Sequence, residues 1–317
     1  MKSGQVVCYG ELLIDMISST TGDLTQSKSF LKKFGGAPAN VSMGVSKLGI
    51  PVSFMGKVGN DPFGKFLKFT LDSHNVNTDN LILSDNDKTT LAFVSLDKNG
   101  QRDFFFYRGA HEAITSTEVT LPKNTFLFHF GSLTQTNNTA YNATDKLIKQ
   151  AKEQKTIISY DPNIRESLWG NLNLARDVIL ATAKKVNILK VNEEEALLLA
   201  NTTSLEEAGK KLFIPSLDAL FITMGPRGCF YKTASFENYI PTIKLTPIDT
   251  TGAGDAFNAG YISLLFDAQK RIPEMSQAEL EAGLKRSNVI ASLTTTKKGA
   301  ISAFPTQKQL KEALSSL

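Results

Sequence analysis

Six apolar runs, Val6–Gly10, Val52–Val58, Phe126–Gly131, Thr156–Asp161, Val186–Val191 and Ala219–Thr223, recur along the chain with amphipathic segments between many of them. Each run is continuous rather than alternating, so the strand it forms must be buried on both faces. That suits a mainly parallel central sheet flanked by helices, an α/β fold. Ligands of such sheets gather beyond the C-terminal ends of the strands, which nominates Asp161, Asn192, Gly225 and the loop before Asp255. Two segments break the rhythm. Leu12–Lys33 and Thr89–Arg108 read as β-hairpins, the second turning at Asp97-Lys98-Asn99-Gly100, where the Asn-Gly pair suits a tight turn. They form either a small separate sheet that acts as a lid and excludes water, or an edge extension of the main sheet. The C-terminal part reads as two helices, Ser276 to about Thr296 and Thr306–Ser316, joined at Lys297-Lys298-Gly299-Ala300. That joint either caps the first helix or lines a nucleotide base pocket. With no repeat or linker, residues 1–317 read as a single domain, its lid strands drawn from about 11–34 and 89–110.

Composition narrows the function classes. At 317 residues, 41% hydrophobic and 21% charged, the chain can bury a large core. Its net charge of +4, from 35 basic and 31 acidic residues, is too small and dispersed for a nucleic-acid footprint. Cys8 and Cys229 each sit in an apolar run and read as buried thiols of a reducing cytoplasm. No apolar run reaches transmembrane length, and the apolar N-terminal run is too short for a signal peptide. His74, His111 and His129 are too scattered for a zinc site, and His129, inside Phe126–Phe130, reads as a core histidine.

The chemistry is concentrated in Asp249-Thr250-Thr251-Gly252-Ala253-Gly254-Asp255. Leu245–Ile248 reads as a strand end, and Ala253, Ala256, Phe257, Gly260, Tyr261, Leu264 and Leu265 recur at helical spacing, so the loop opens a helix. Gly252 and Gly254 permit close backbone approach, and first-turn N–H groups without intrahelical partners can face an anion. Asp255 would repel that anion unless it has a task. It is either the acceptor of a proton from a hydroxyl attacking phosphorus or a complement to the helix dipole. The loop begins like the dinucleotide-binding G-x-G-x-x-G, but Phe257 replaces the third glycine, which weakens an oxidoreductase reading. No P-loop occurs anywhere in the sequence.

Two segments together resemble the PfkB (ribokinase-like) family of carbohydrate kinases. They are Gly35-Gly36-Ala37-Pro38-Ala39-Asn40, running through Gly49 to Gly56-Lys57-Val58-Gly59, and Asp249 through Gly260. The resemblance implies a ribokinase-like core with a small β-sheet lid, ATP and Mg²⁺ as cosubstrates, and γ-phosphoryl transfer to a sugar hydroxyl. It implies Asp255 as base and the backbone of Gly252, Ala253 and Gly254 as anion hole. It matches Asn192-Glu193-Glu194-Glu195 to an N-x-x-E element, so Asn192 and Glu195 would organise Mg²⁺ largely through water; residues alone favour an Asn-capped helix start there. Thr223, Gly225 and Gly228 resemble a nucleotide-contacting turn, against the plain reading of a Gly-Pro turn. Lys190, Gly254 and Asn288 would also face the nucleotide. Asp249 and Thr251 match positions that hold a potassium ion in many relatives.

For the sugar, the resemblance assigns Asp15, Gly35, Gly36 and Asn40, while Phe104 and Phe106 of the lid hairpin would cover its apolar side or simply pack. The first motif and Asp161-Pro162-Asn163-Ile164-Arg165 are similar to the fructokinase form, which implies D-fructose phosphorylated at O6. Arg165 keeps 2-keto-3-deoxygluconate in play, since a guanidinium meets a carboxylate as readily as a hydroxyl. Ribokinase-type activity and a sugar-binding regulator without turnover also stay open. Lid strands of relatives sometimes build a dimer interface, because exposed sheet edges invite pairing.

Overall fold

The computed structural model describes residues 3–96 and 102–315, with the side chains of Leu96 and residues 102–104 also left undescribed. Its strands are β1 (Gln5–Tyr9), β2 (Leu13–Ser18), β3 (Phe30–Gly35), β4 (Val52–Gly59), β5 (Leu81–Ser84), β6 (Leu91–Leu96), β7 (Arg102–Tyr107), β8 (Thr125–Phe130), β9 (Ile157–Tyr160), β10 (Ile188–Asn192), β11 (Ala219–Thr223), β12 (Cys229–Lys232) and β13 (Glu237–Ile240). A nine-stranded sheet runs in the order β13-β12-β11-β10-β9-β8-β1-β4-β5. Pairings from β11 through to β5 are parallel, and only β12 and β13 are antiparallel. The ribokinase-like α/β expectation is met.

Burial explains why the strands read as unbroken apolar runs. On β1, Val6 and Cys8 point into a core formed with the helices Ala37–Lys47, Ala253–Ala268 and Gln277–Thr294. Val7 and Tyr9 point into a second core formed with Asn138–Glu153, Leu172–Ala183 and Glu193–Ala200. Alternation survives in the geometry, but both faces are apolar because both are covered. Both thiols are fully buried, which pushes the Cys8 thiol well up and that of Cys229 up to about 12.

The two hairpins build a separate four-stranded sheet, ordered β3-β2-β6-β7, rather than extending the main one. Asp15 pairs with Ala92, and Ala92 with Phe106, so these three side chains share one face. The Asp97–Gly100 turn lies outside the described residues.

Leu245–Ile248 is not a strand end. After β13 the chain from 241 to 250 is irregular, and Pro241 and Pro247 cannot donate to a ladder. Ile248 and Asp249 instead donate to the carbonyl of Thr295 at 2.8 and 3.1 Å. A one-turn helix, Ala300–Ala303, also interrupts the expected joint between the last two helices. The short strands β5, β12 and β13 escape sequence reading, since edge strands of four residues carry little periodicity.

A buried polar chain crosses the sheet beneath the C-terminal strand ends. His129 Nδ1 lies 2.8 Å from Ser159 Oγ, which lies 2.6 Å from the Tyr261 hydroxyl, joining β8, β9 and the Ala253–Ala268 helix. Burial holds His129 neutral, its pKa pushed down to about 4. Replacing Tyr261 by Phe removes one hydrogen bond without opening a cavity, and should cost about 1 kcal/mol. Chemical denaturation measures this as a lower midpoint; an unchanged midpoint contradicts a stabilising role for the chain.

Candidate active site

Beyond the C-terminal ends of β1, β9, β10 and β11, the two sheets and the Ala253–Ala268 helix enclose a cavity of about 610 Å³. The helix starts there because Gly252 adopts a left-handed conformation, φ +78°, at its N-cap. A Cβ on Gly252 would lie 2.6 Å from the Cβ of Ala300, so the turn excludes any larger residue. No side chain caps the helix, and Gly252, Ala253 and Gly254 form part of the cavity wall. The Ala253 N–H, expected to face an anion, instead donates to the Thr250 carbonyl at 3.3 Å, which leaves the N–H groups of Gly252 and Gly254 for an anion. Asp249 shapes the approach: its carboxylate accepts the N–H and hydroxyl of Thr251 and, at 2.9 Å, the N–H of Gly299.

Asp255 is buried in the first helical turn, where its Oδ2 accepts Asn40 Nδ2 at 2.8 Å. Burial pushes its pKa up to about 6, with Asp161 adding to the rise and the Asn40 bond, Lys190 and Arg165 opposing it. A carboxyl so poised is ionised at neutral pH yet basic enough to take a proton. Lys190 on β10 donates to Asp161 Oδ2 at 2.9 Å, and Asn258 Nδ2 reaches the same oxygen at 2.7 Å. A Cβ on Gly254 would stand 3.0 Å from Lys190 Nζ, so the ammonium lies against the uncapped helix start. Burial disfavours that ammonium, but the carboxylates of Asp161, Glu195 and Asp255 outweigh it and hold its pKa above the usual lysine value.

The cavity wall brings together Asp15, Gly36, Asn40, Phe106 and Arg165 on one side and Lys190, Asn192, Thr223, Gly225, Gly228 and Asn288 on the other, with Thr251 beside the helix start. Gly35 does not reach that wall; it packs against Asp15, whose Oδ2 would be 2.5 Å from a Cβ there. The Phe104 side chain lies outside the described residues. Asn288 spends its amide on the Ile240 carbonyl at 2.9 Å, tying its helix to β13. Asp249 and Glu195 stand behind the wall rather than on it.

Glu195 is fully engaged. Its Oε2 accepts the N–H of Asn192 at 2.8 Å in a capping box, and its Oε1 accepts the N–H of Ile164 at 2.7 Å. It thereby ties the start of the Glu193–Ala200 helix to the segment that carries Asn163, left-handed at φ +47°, and Arg165. Each carboxylate oxygen and the Asn192 Oδ1 keep a further lone pair. This hard-oxygen pair fits a Mg²⁺ ion that retains most of its water.

Sequence reasoning misses Asn258 and leaves Asp161 as a strand-end candidate only. Asn258 follows Asp255 by one turn, so it faces the same way, and that spacing is the available signal.

The pattern of the pfkB family carbohydrate kinases matches residues 3–307. The chain belongs to that family. It is 38% identical over 320 residues to the Arabidopsis thaliana protein named "Probable fructokinase-6, chloroplastic", covering 99% of this chain and 83% of that one. Among solved structures it is similar to fructokinase with bound ATP from Xylella fastidiosa, at a TM-score of 0.90 and 27% identity over 98% of each chain. It is also similar to a double-mutant fructokinase from Vibrio cholerae O395 with fructose, ADP and a potassium ion bound, at a TM-score of 0.89 and 29% identity over 98% and 99% of the chains. As a pfkB-family kinase the chain is a phosphotransferase with an alcohol acceptor, which the uncapped helix start, buried ammonium and adjacent carboxyl suit.

Replacing Glu195 by Gln leaves one acceptor for two backbone N–H groups. The unsatisfied group should cost about 1–3 kcal/mol locally. Hydrogen exchange at the Ile164 or Asn192 amide should accelerate roughly tenfold or more in the unliganded protein; unchanged exchange at both would show that the tether carries no load.

Proposed function

We propose that the chain is an ATP-dependent fructokinase that transfers the γ-phosphoryl group of ATP to the 6-hydroxyl of D-fructose, giving fructose 6-phosphate and ADP. The observation that carries this reading is Asp255: a buried carboxyl, held by Asn40, at the uncapped helix start where the two sides of one cavity meet. Fructose lies against Asp15, Gly36, Asn40 and Arg165, with Gly35 supporting Asp15 and Phe104 and Phe106 of the small sheet closing over it as a lid. Asp15 and Phe106 sharing a face of that sheet supports the closure. ATP lies along Lys190, Asn192, Thr223, Gly225, Gly228 and Asn288, its γ-phosphate on the N–H groups of Gly252 and Gly254.

Asp255 takes the proton of the attacking hydroxyl, and the hydroxyl oxygen forms its bond to phosphorus as the bond to the leaving oxygen of ADP breaks. The Lys190 ammonium and the helix start bear the negative charge of the transferred group. Asn192 and Glu195 would hold Mg²⁺ through its waters, and the ion would supply further neutralisation of phosphate charge. Asp249 and Thr251 would hold a potassium ion behind the helix start, in line with the ion bound in the Vibrio protein. The setting is the reducing cytoplasm, which the two buried thiols support. Two copies pair through the small sheets, whose Leu31, Phe105 and Tyr107 are 58%, 53% and 60% exposed. Sedimentation as a monomer at micromolar concentration would rule that pairing out.

ADP release measured with fructose, ribose, 2-keto-3-deoxygluconate and adenosine in competition tests the substrate. Fructose should win; preference for the keto acid would reassign Arg165 to its carboxylate. Asp255→Asn should lower turnover by roughly 10²–10⁴-fold with ATP and sugar binding nearly intact. In the wild type, activity should fall as pH drops through about 6, because the base must be ionised and burial has raised its pKa to that value. Turnover that survives Asp255→Asn, or that is flat to pH 5, removes Asp255 from the role.

A further inference from the structure

Glu11 follows β1 by two residues and is 4% exposed on the cavity wall, with no part in the reading above. Its Oε1 accepts the N–H of Ala37 at 3.0 Å, at the first residue of the Ala37–Lys47 helix. The N-cap, Gly36, has no side chain to cap with, so Glu11 supplies from another element what a capping residue would supply locally. The two segments are packed closely. Gly36 sits at φ +112°, and a Cβ on it would lie 2.3 Å from the Glu11 carbonyl oxygen. Glu11 Oε2 is buried with no partner among the described residues. A half-satisfied buried carboxyl is a poor stabilising device, so its value lies in what its bond to the Ala37 N–H holds.

That bond holds the turn presenting Asn40. The Asn40 N–H closes on the Gly36 carbonyl at 2.9 Å, and its side chain donates to Asp255. Asn40 is thus fixed from its backbone end by Glu11 and from its side-chain end by the base. We infer that Glu11 is a positioning residue, anchoring the Gly36–Asn40 turn so that Asn40 stays hydrogen-bonded to Asp255.

The inference rests on Asp255 being the base, and the charged groups around it define the control. Asp161 and Arg165 face Asp255 from beyond β9, Lys190 from β10, and Glu11 from across the turn, where Arg165 and Asp255 face it in return. Burial raises Glu11 itself to about 7, so it is largely neutral where Asp255 titrates. Glu11→Ala and Glu11→Gln remove the same ionisable group, but Gln keeps an oxygen that can accept the Ala37 N–H. The difference between the two variants therefore isolates the anchor.

The Asn40 bond favours ionised Asp255. Freeing Asn40 should raise the proton affinity of the base, and the acid limb of the kcat profile should move up by about half to one pH unit in Glu11→Ala. Its kcat should fall about tenfold or more, while the KM for ATP stays within about twofold. Glu11→Gln should restore most of that loss and return the limb to its wild-type place. Glu11→Ala combined with Asn40→Ala should be little worse than Asn40→Ala alone, because both act through one hydrogen bond. Glu11→Asp keeps the carboxyl group but retracts it, and takes the place of Glu11→Ala with the same expectation if the latter fails to fold. Equal behaviour of the Ala and Gln variants, or fully multiplicative losses in the double variant, overturns the inference. Failure of the parent reading looks different: the wild type then lacks the limb near pH 6, or Asp255→Asn keeps its turnover.

Discussion

The site depends on one buried carboxylate. Asp161, just beyond β9, receives the ammonium of Lys190 from β10 and the amide of Asn258 from the Ala253–Ala268 helix on a single oxygen. Both members of the ion pair are 6% exposed in their side chains, so neither has water to fall back on. Removing one partner of such a pair strands the other and typically costs about 3–5 kcal/mol. The arrangement is accordingly weak as a stabilising device but strong as a locator. It fixes the helix that carries Asp255 against the two central strands, with a fixed positive charge beside its start. Asp161 Oδ1 remains buried and unpartnered among the described residues, as expected where polar groups are kept for a ligand rather than for the fold.

Three elements converge on Asp255 by different means. The His129, Ser159 and Tyr261 chain and the Asp161 cluster clamp its helix to the sheet from below. Asn40 meets it from the first turn of the Ala37–Lys47 helix, which follows the small sheet directly. Glu195 ties the Arg165 segment to the helix start at Asn192, so the two sides of the cavity share a tether. The main sheet holds Lys190 and Asp161 in place, and Asp15 and Phe106 reach the cavity from the smaller sheet. A kinase needs its charges preorganised, and the buried Lys190–Asp161 pair meets that need.

Much of this is legible in the amino-acid sequence. The central strands, the two hairpins and the glycine-poised helix start follow from local patterns in Val6–Gly10, Leu91–Arg108 and Asp249–Asp255, because period, turn chemistry and capping act over a few residues. What the sequence leaves out has a common cause. Leu245–Ile248 reads as a strand, but prolines at 241 and 247 leave it without a ladder, and the hydrogen bonds of Ile248 and Asp249 go to Thr295. Glu195 reads as a metal candidate, and local pattern does not show that its oxygens also accept backbone N–H groups from two separate segments.

The sequence by itself determined an α/β chain with doubly buried strands, a glycine-poised helix start with an acid in its first turn, and membership of a sugar-kinase family by its two motifs. Only the tertiary structure decided that Asn40, 215 residues away, would hydrogen-bond that acid, that Lys190 would lie against Gly254, and that Glu11 would cap a helix from outside it. Motifs record what each segment needs locally, namely glycine for a turn or an acid for a helix start. Burial and partners across the chain depend on which segments the sheet order sets side by side, and those set the proton affinity of Asp255 and the charge around it.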